Sequence, residues 1–215
     1  MIPLFFLIGI YGGRHRKIHA AYLFFLYTLF GSILLFLAFL LLYLETGTSD
    51  YQVLLTLPLS HHRNCLLWFA FFFSFAIKIP LIPAHIWLPE AHVEAPTAAS
   101  LLLAAILLKF GSYGFIRYSI PLFPIASSYF APFIDTLSIF AILSSSFACL
   151  AQWDMKKIIA YSSIGHMNTA TLALFTNDYH GIIAGIYFLI SHGLISSALF
   201  VLIGVLYDRY HTRTF

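Results

Sequence analysis

Charge is scarce in this 215-residue sequence: 9% of its residues are Asp, Glu, Lys or Arg, while 61% are hydrophobic. Soluble domains carry roughly a quarter charged residues, so an ordinary cytosolic fold is excluded. The mean hydropathy of +0.91 agrees. No stretch of ordinary polarity is set apart, which leaves no place for a separate soluble domain. Cysteine is nearly absent. Cys65 and Cys149 lie far apart, support neither a disulfide framework nor a zinc site, and read as two buried thiols without a role. No cleavable signal peptide is evident, because the apolar run Ile2–Ile10 lacks a basic region before it and a small-residue cleavage site after it. A formal charge of +3 is too small to point to nucleic acid, and no basic face is interleaved with aromatics. Glycine-rich phosphate loops, metal-ligand clusters and nucleophile–base constellations are missing as well, so no cofactor or metal site is expected in this chain itself.

What the sequence does have is long apolar runs. A membrane helix needs about 20 mostly apolar residues, and such runs cover 20–44, 66–88, 98–117, 132–151, 155–175 and 181–207. Residues 2–11 are too short to span alone and are expected to be the end of an incomplete helix. Turn signals separate the runs: Gly12-Gly13, Thr46 to Asp50, Pro121 and Pro124, and Asn177-Asp178. The expected fold is an all-α, polytopic transmembrane helix bundle. The 23 Phe residues suit lipid-facing helix surfaces. With the 12–19 linker inside, one face collects Arg14, Arg16, Lys17, Lys156, Lys157, Arg209 and Arg213 and the other only Arg63 and Arg117. That bias obeys the positive-inside rule.

Lys78 and Lys109 remain, each inside an apolar run. Counted from Leu66 and Ala98, they lie roughly 16–18 Å in at 1.5 Å per residue, near the middle of a hydrocarbon core about 30 Å thick. A charge there costs at least about 2.5–3.5 kcal/mol on insertion scales. A hydrated interior, a carboxylate partner or loss of the proton lowers that cost. Because burial favours the neutral amine, such a lysine can take up and release a proton. Snorkelling is ruled out by reach; a structural lysine paired to a fixed carboxylate is the alternative. His166 and His192 lie at comparable depths, and histidine changes charge near physiological pH. Taken singly, each could instead be hydrogen-bonded to a neighbouring backbone.

Three prolines follow Lys78, at 80, 83 and 89, so this span should be broken just after its lysine. Broken backbone at membrane depth survives only where it is buried in protein or lines a water-filled cavity, and it is typical of transport pathways; a simple proline kink is the plainer reading. His85 and His92 lie in or after the break and could connect it to water. Glu90 and Glu94 read as loop carboxylates, with a lesser case for helping proton entry. Asp154, beside Lys156 and Lys157, reads as a surface pair near a helix start, and Asp135 as a similar first-turn acid.

Several stretches resemble the antiporter-like subunit 4 of respiratory complex I (NADH:ubiquinone oxidoreductase). They are Gly12 to Thr28 (GGRHRKIHAAYLFFLYT), Phe75 to Ser100 (FAIKIPLIPAHIWLPEAHVEAPTAAS), Ile106 to Gly114 (ILLKFGSYG), Asp154 to His166 (DMKKIIAYSSIGH) and Ser191 to Leu194 (SHGL). The form of the His85–Ser100 stretch favours subunit 4 over the related subunits 2 and 5. The resemblance implies an inverted-repeat antiporter-like fold. It makes Lys78 the lysine of a broken helix in the first half-channel and Lys109 the link between half-channels. His166 and His192 would belong to the hydrated central axis of the second half.

It further implies a proton-translocating subunit of an NADH:ubiquinone reductase, carrying no redox centre itself. NADH, FMN, iron–sulfur clusters and ubiquinone would belong to other subunits. The expected location is the mitochondrial inner membrane, which the many Phe and Tyr fit, with a bacterial plasma membrane as the alternative. Family members have more helices than the six complete spans read here. Their key glutamate precedes the stretch matching Ile2-Pro-Leu-Phe, and their second broken helix follows the region near Phe215. The chain is therefore expected to be a fragment completed by other membrane-arm chains. Anionic lipid such as cardiolipin suits the Arg14–Lys17 and Arg209–Arg213 clusters. A cation/proton antiporter or membrane-bound hydrogenase subunit of the same superfamily is the second reading, and a structural scaffold of the membrane arm the third.

Overall fold

A computed structural model describes residues 1–13 and 15–214. Arg14, counted above with one basic face and one lipid cluster, lies outside the described residues, as does Phe215. The regular structure among the described residues is helical, apart from one isolated bridge between Asp154 and Thr214.

The chain opens with α1 (Ile2–Tyr11). The long α2 (Lys17–Thr46) stops at Gly47, whose φ of +70° is the left-handed cap that lets its N–H reach the Tyr43 carbonyl. Asp50 caps the short α3 (Tyr51–Leu55) by accepting from the Gln52 N–H at 3.1 Å. Then comes α4 (His61–Lys78), which ends on the lysine itself. Pro80 and Pro83 cannot donate to the preceding turn, and helix resumes only at α5 (Trp87–Glu94), with Pro89 tolerated in its first turn. Glu90 and Glu94 are thus helical rather than loop carboxylates, and Glu94 is buried at 3% exposure. Ala95, forced extended by the proline after it, separates α5 from the 26-residue α6 (Thr97–Leu122). Within α6 the chain widens into two π turns, Leu103–Leu107 and Phe115–Ser119. A short α7 (Pro124–Tyr129) leads to α8 (Ala131–Leu150), α9 (Met155–Leu174) and α10 (Tyr179–Tyr210). Asp135 is the fifth residue of α8, one turn deeper than a first-turn acid.

By length and composition α2, α6, α8 and α10 can cross a bilayer. The 20-residue α9 is more polar, with Ser162, Ser163, His166, Asn168, Thr169 and Thr171. It lies between α8 and α10. Three of its hydroxyls bond back to its own carbonyls, Ser162 to Ile159 at 2.8 Å, Thr171 to Met167 at 2.9 Å and Thr169 to Gly165 at 3.1 Å, while Ser163 Oγ and Asn168 Oδ1 are buried without a hydrogen bond among the described residues. Elsewhere α2 packs on α1, α4 and α5, while α6 packs on α4 and α10 and α5 packs on α9.

Aromatic rings fill the spaces between helices. Trp68 stacks on Phe72 at 5.0 Å and on Phe130 at 4.7 Å, and Phe115 meets Phe175 edge-on at 5.1 Å. Phe24, Phe71, Phe72, Phe75, Phe115, Phe123, Phe175 and Phe200 are buried. Phenylalanine is therefore core material here as much as lipid-facing surface. Cys65 and Cys149 are only half-buried, correcting the expectation of two buried thiols.

Candidate functional site

The break after Lys78 is stitched from both sides. The Trp87 indole N–H donates across it to the Ile77 carbonyl at 3.0 Å, and Leu81 N–H donates to Ala76 at 2.9 Å. Asn168 of α9, fully buried, donates to Ile164 at 2.7 Å and reaches the Pro80 carbonyl at 3.5 Å. Carbonyls released by the prolines thus find partners inside protein, as irregular backbone at membrane depth requires. His85 sits in the break, half-buried. His92 lies beyond the break, inside α5 at 0% exposure, its ring stacked on Phe200 of α10 at 4.6 Å.

Lys78, the last residue of α4, holds its amine 5.9 Å from the centre of the Phe75 ring. It lines a cavity of about 430 Å³ whose other walls include Leu4, Thr28, Leu102, Ile106 and Tyr118. The helix bearing Lys109 comes very close. A Cβ on Gly111 would lie 2.7 Å from Ile79 and 3.0 Å from the Lys78 Cβ, and one on Gly114 would collide with the Phe75 ring. Only glycine permits this approach.

Lys109 turns the other way, toward the second half of the chain. Its amine donates to the Ala104 carbonyl at 2.6 Å and lies 2.9 Å from Nδ1 of His192 on α10. Ala104 belongs to the first π turn, and such turns recur at functional sites. Gly193 leaves room for the lysine stem, since a Cβ there would lie 3.3 Å from Cε of Lys109. His192 is 6% exposed. Its ring centre is 5.8 Å from that of His166 on α9. An ammonium facing Nδ1 must donate, and an imidazolium there must also donate. The pair accommodates one exchangeable charge rather than two. His166 continues the line to the outer face of α8 and α9. It is exposed there in a groove of about 360 Å³ with Ser145, Ser146, Cys149, Ser162 and Thr169. The fold thus gathers Lys109, His192 and His166, and leaves Lys78 on the far side of α6.

Glu90 pairs loosely with Lys157 at 3.8 Å. Lys156 and Asp154, expected as a surface pair, are buried at 1% and 9% exposure. Asp154 caps α9 by accepting from the Lys156 N–H at 3.0 Å, and the Lys156 amine donates to the Ala95 carbonyl at 2.9 Å. Segments distant in sequence close over this turn, so adjacency of charges misread its burial. The only sequence signal for Lys156 was its place in a charged run, and nothing pointed to Asn168.

A sequence model of the family described as "NADH:quinone oxidoreductase/Mrp antiporter, TM" matches residues 1–215. The chain belongs to this family. The resemblance drawn from the motifs is borne out, and with it the all-helical antiporter-like fold and a multi-pass membrane protein. Over 213 residues, 99% of this chain and 41% of the other, it is 59% identical to "NADH-ubiquinone oxidoreductase chain 4" of Prototheca wickerhamii. The antiporter-family fold superposes at TM-score 0.92 and 33% identity on a chain of respiratory complex I from Thermus thermophilus, over 99% of this chain and 46% of that one. A chain of the Mrp complex from a Dietzia species matches at TM-score 0.89 and 23% identity, over 99% and 40%. That second likeness carries the fold alone. The chain spans about two fifths of the length of the curated relatives it matches.

Proposed function

We propose that this chain is the central part of the subunit-4 antiporter-like module of respiratory complex I, in the inner mitochondrial membrane. Its work is to move protons in step with electron transfer from NADH to ubiquinone, with the redox groups held by other subunits. The observation that carries the reading is the Lys109–His192 contact of 2.9 Å, continued by His166, inside a membrane bundle. An amine and an imidazole at that distance can exchange a proton. The 59% identity to "NADH-ubiquinone oxidoreductase chain 4" supports complex I as the setting.

Lys78 carries the other end of the path. A carboxylate delivered into its cavity by another membrane-arm chain would favour the charged amine, and its withdrawal the neutral one. Opening and closing that ion pair would gate transfer across α6 to Lys109. Partners are accordingly other membrane-arm chains and the lipid bilayer, with Arg16, Lys17 and Arg209 suited to anionic headgroups.

The test is Lys78→Ala in the assembled complex, followed by protons moved per electron in sealed vesicles. A fall in that ratio, or a coupled turnover reduced at least on the order of tenfold, is expected. Unchanged stoichiometry and turnover would reject the role.

A further inference from the structure

Helix α5 ends in carbonyls that an isolated helix would leave without partners. Here four consecutive ones are met by four separate stretches of chain. The His92 carbonyl accepts from the Ser100 hydroxyl at 3.1 Å and Val93 from the Arg213 guanidinium at 2.9 Å. Glu94 accepts from the Gly13 N–H at 3.3 Å and Ala95 from the Lys156 ammonium at 2.9 Å. Two of these donors are cations, placed at the end of a helix where the backbone dipole favours positive charge. Both come from the far half of the chain: Lys156 from the first turn of α9, and Arg213 from the tail after α10. The same tail is tied back to α9, since Met155 N–H donates to the Arg213 carbonyl at 3.0 Å. Arg213 also lies over the Tyr207 ring at 4.3 Å.

We propose that Lys156 and Arg213 are positioning residues: they clamp the carbonyl end of α5, so that the second half of the chain sets where the broken helix, and hence Lys78, sits. This deepens the reading of Lys78 as a proton carrier and rests on it for its functional meaning. The mechanical argument is independent. Trp87 ties α5 to the last turns of α4 at one end, and the two cations fix the other end. A helix of eight residues held at both ends moves only when one hold yields. Displacement of α9 or α10 relative to the first half is therefore felt at the break. The donors differ in kind: a carbonyl is held by a three-donor ammonium in one case and by a planar fork of five in the other.

The experiment uses the assembled complex bearing Lys156→Met, which keeps the length and apolar stem but removes the donor. Amide hydrogen exchange is followed by mass spectrometry. Exchange over residues 88–95 is expected to rise at least on the order of tenfold, the rate change that accompanies loss of a modest local stabilisation, while residues 131–150 of α8 stay as in the parent. Lys156→Arg, which retains a cationic donor, restores protection. Should Lys156→Met fail to accumulate, Arg213→Met, which likewise removes the donor and keeps an apolar stem, carries the same expectation for residues 88–95. Unchanged exchange over 88–95 in the variant that assembles overturns the clamp, as does an equal rise throughout α8 or no restoration by arginine. These outcomes are separate from the fate of Lys78→Ala. Intact pumping there removes the proton-carrier reading, while the exchange data still decide what holds α5.

Discussion

Replacing Lys109 by methionine is expected to leave the assembled complex intact and to lower proton-coupled turnover on the order of a hundredfold, the low end of what a positioned proton donor contributes. Methionine fills the slot beside Gly193 with an unbranched stem of similar reach, so the packing of α6 on α10 survives. What disappears is the bond to Ala104 at 2.6 Å and the contact with His192 at 2.9 Å. Lys109→Arg sharpens the result. A guanidinium keeps positive charge and donors but does not give up its proton in proteins, so arginine should not restore turnover if the lysine passes protons. Full activity in the arginine variant would make Lys109 a fixed charge and favour a scaffolding role. The measurement is NADH-driven turnover and pumping in sealed membranes, normalised to assembled complex.

The second large effect is steric. At Gly114 an added methyl would meet the face of Phe75, and that ring can yield only toward the cavity it shares with Lys78. It is bracketed by Phe71 at 6.0 Å and Phe115 at 5.6 Å. Overpacking of this sort costs about 1–3 kcal/mol, so Gly114→Ala should lower the thermal midpoint of the assembled complex and pry α6 from α4. Gly165→Ala makes the control. There the added methyl meets only the Ser145 hydroxyl at 3.1 Å, which can turn away. Equal midpoints for the two variants would mean that the α4–α6 contact is looser than described. Because Gly111 abuts Lys78 in the same seam, the variant should also slow coupled turnover beyond what its lower stability accounts for.

Much of this arrangement was legible in the residues, for identifiable reasons. Hydrocarbon imposes a run length, so apolar segments locate helices with little help from propensity. Proline removes donors wherever it stands, so the end of α4 at Lys78 follows from Pro80 and Pro83 alone. Depth counted along separate spans put Lys109 and His192 in one layer. Their contact could not be counted, because 83 residues separate them and the azimuth of each helix is set by packing. Burial of Lys156 was hidden for a related reason. A cation beside Asp154 and Lys157 looks solvated until the end of α5 and the tail near Arg213 close over it. Gly111 and Gly114 read as ordinary helix residues in a single sequence; their necessity appears only when the facing surface is Lys78, Ile79 and Phe75.

The two π turns of α6 have an effect on winding that extends past their own residues. Each i→i+5 turn houses one residue more than an α turn, and every residue advances the helix by roughly 100°. An apolar stripe ruled through 97–122 at ordinary spacing consequently slips out of phase at Leu103 and again at Phe115. Excising one residue from Leu103–Leu107 would turn that bulge into an ordinary α turn and leave the amine of Lys109 facing the imidazole it now meets, whereas the same excision between two α turns, where no surplus residue is housed, would swing everything beyond it by about a quarter-circle.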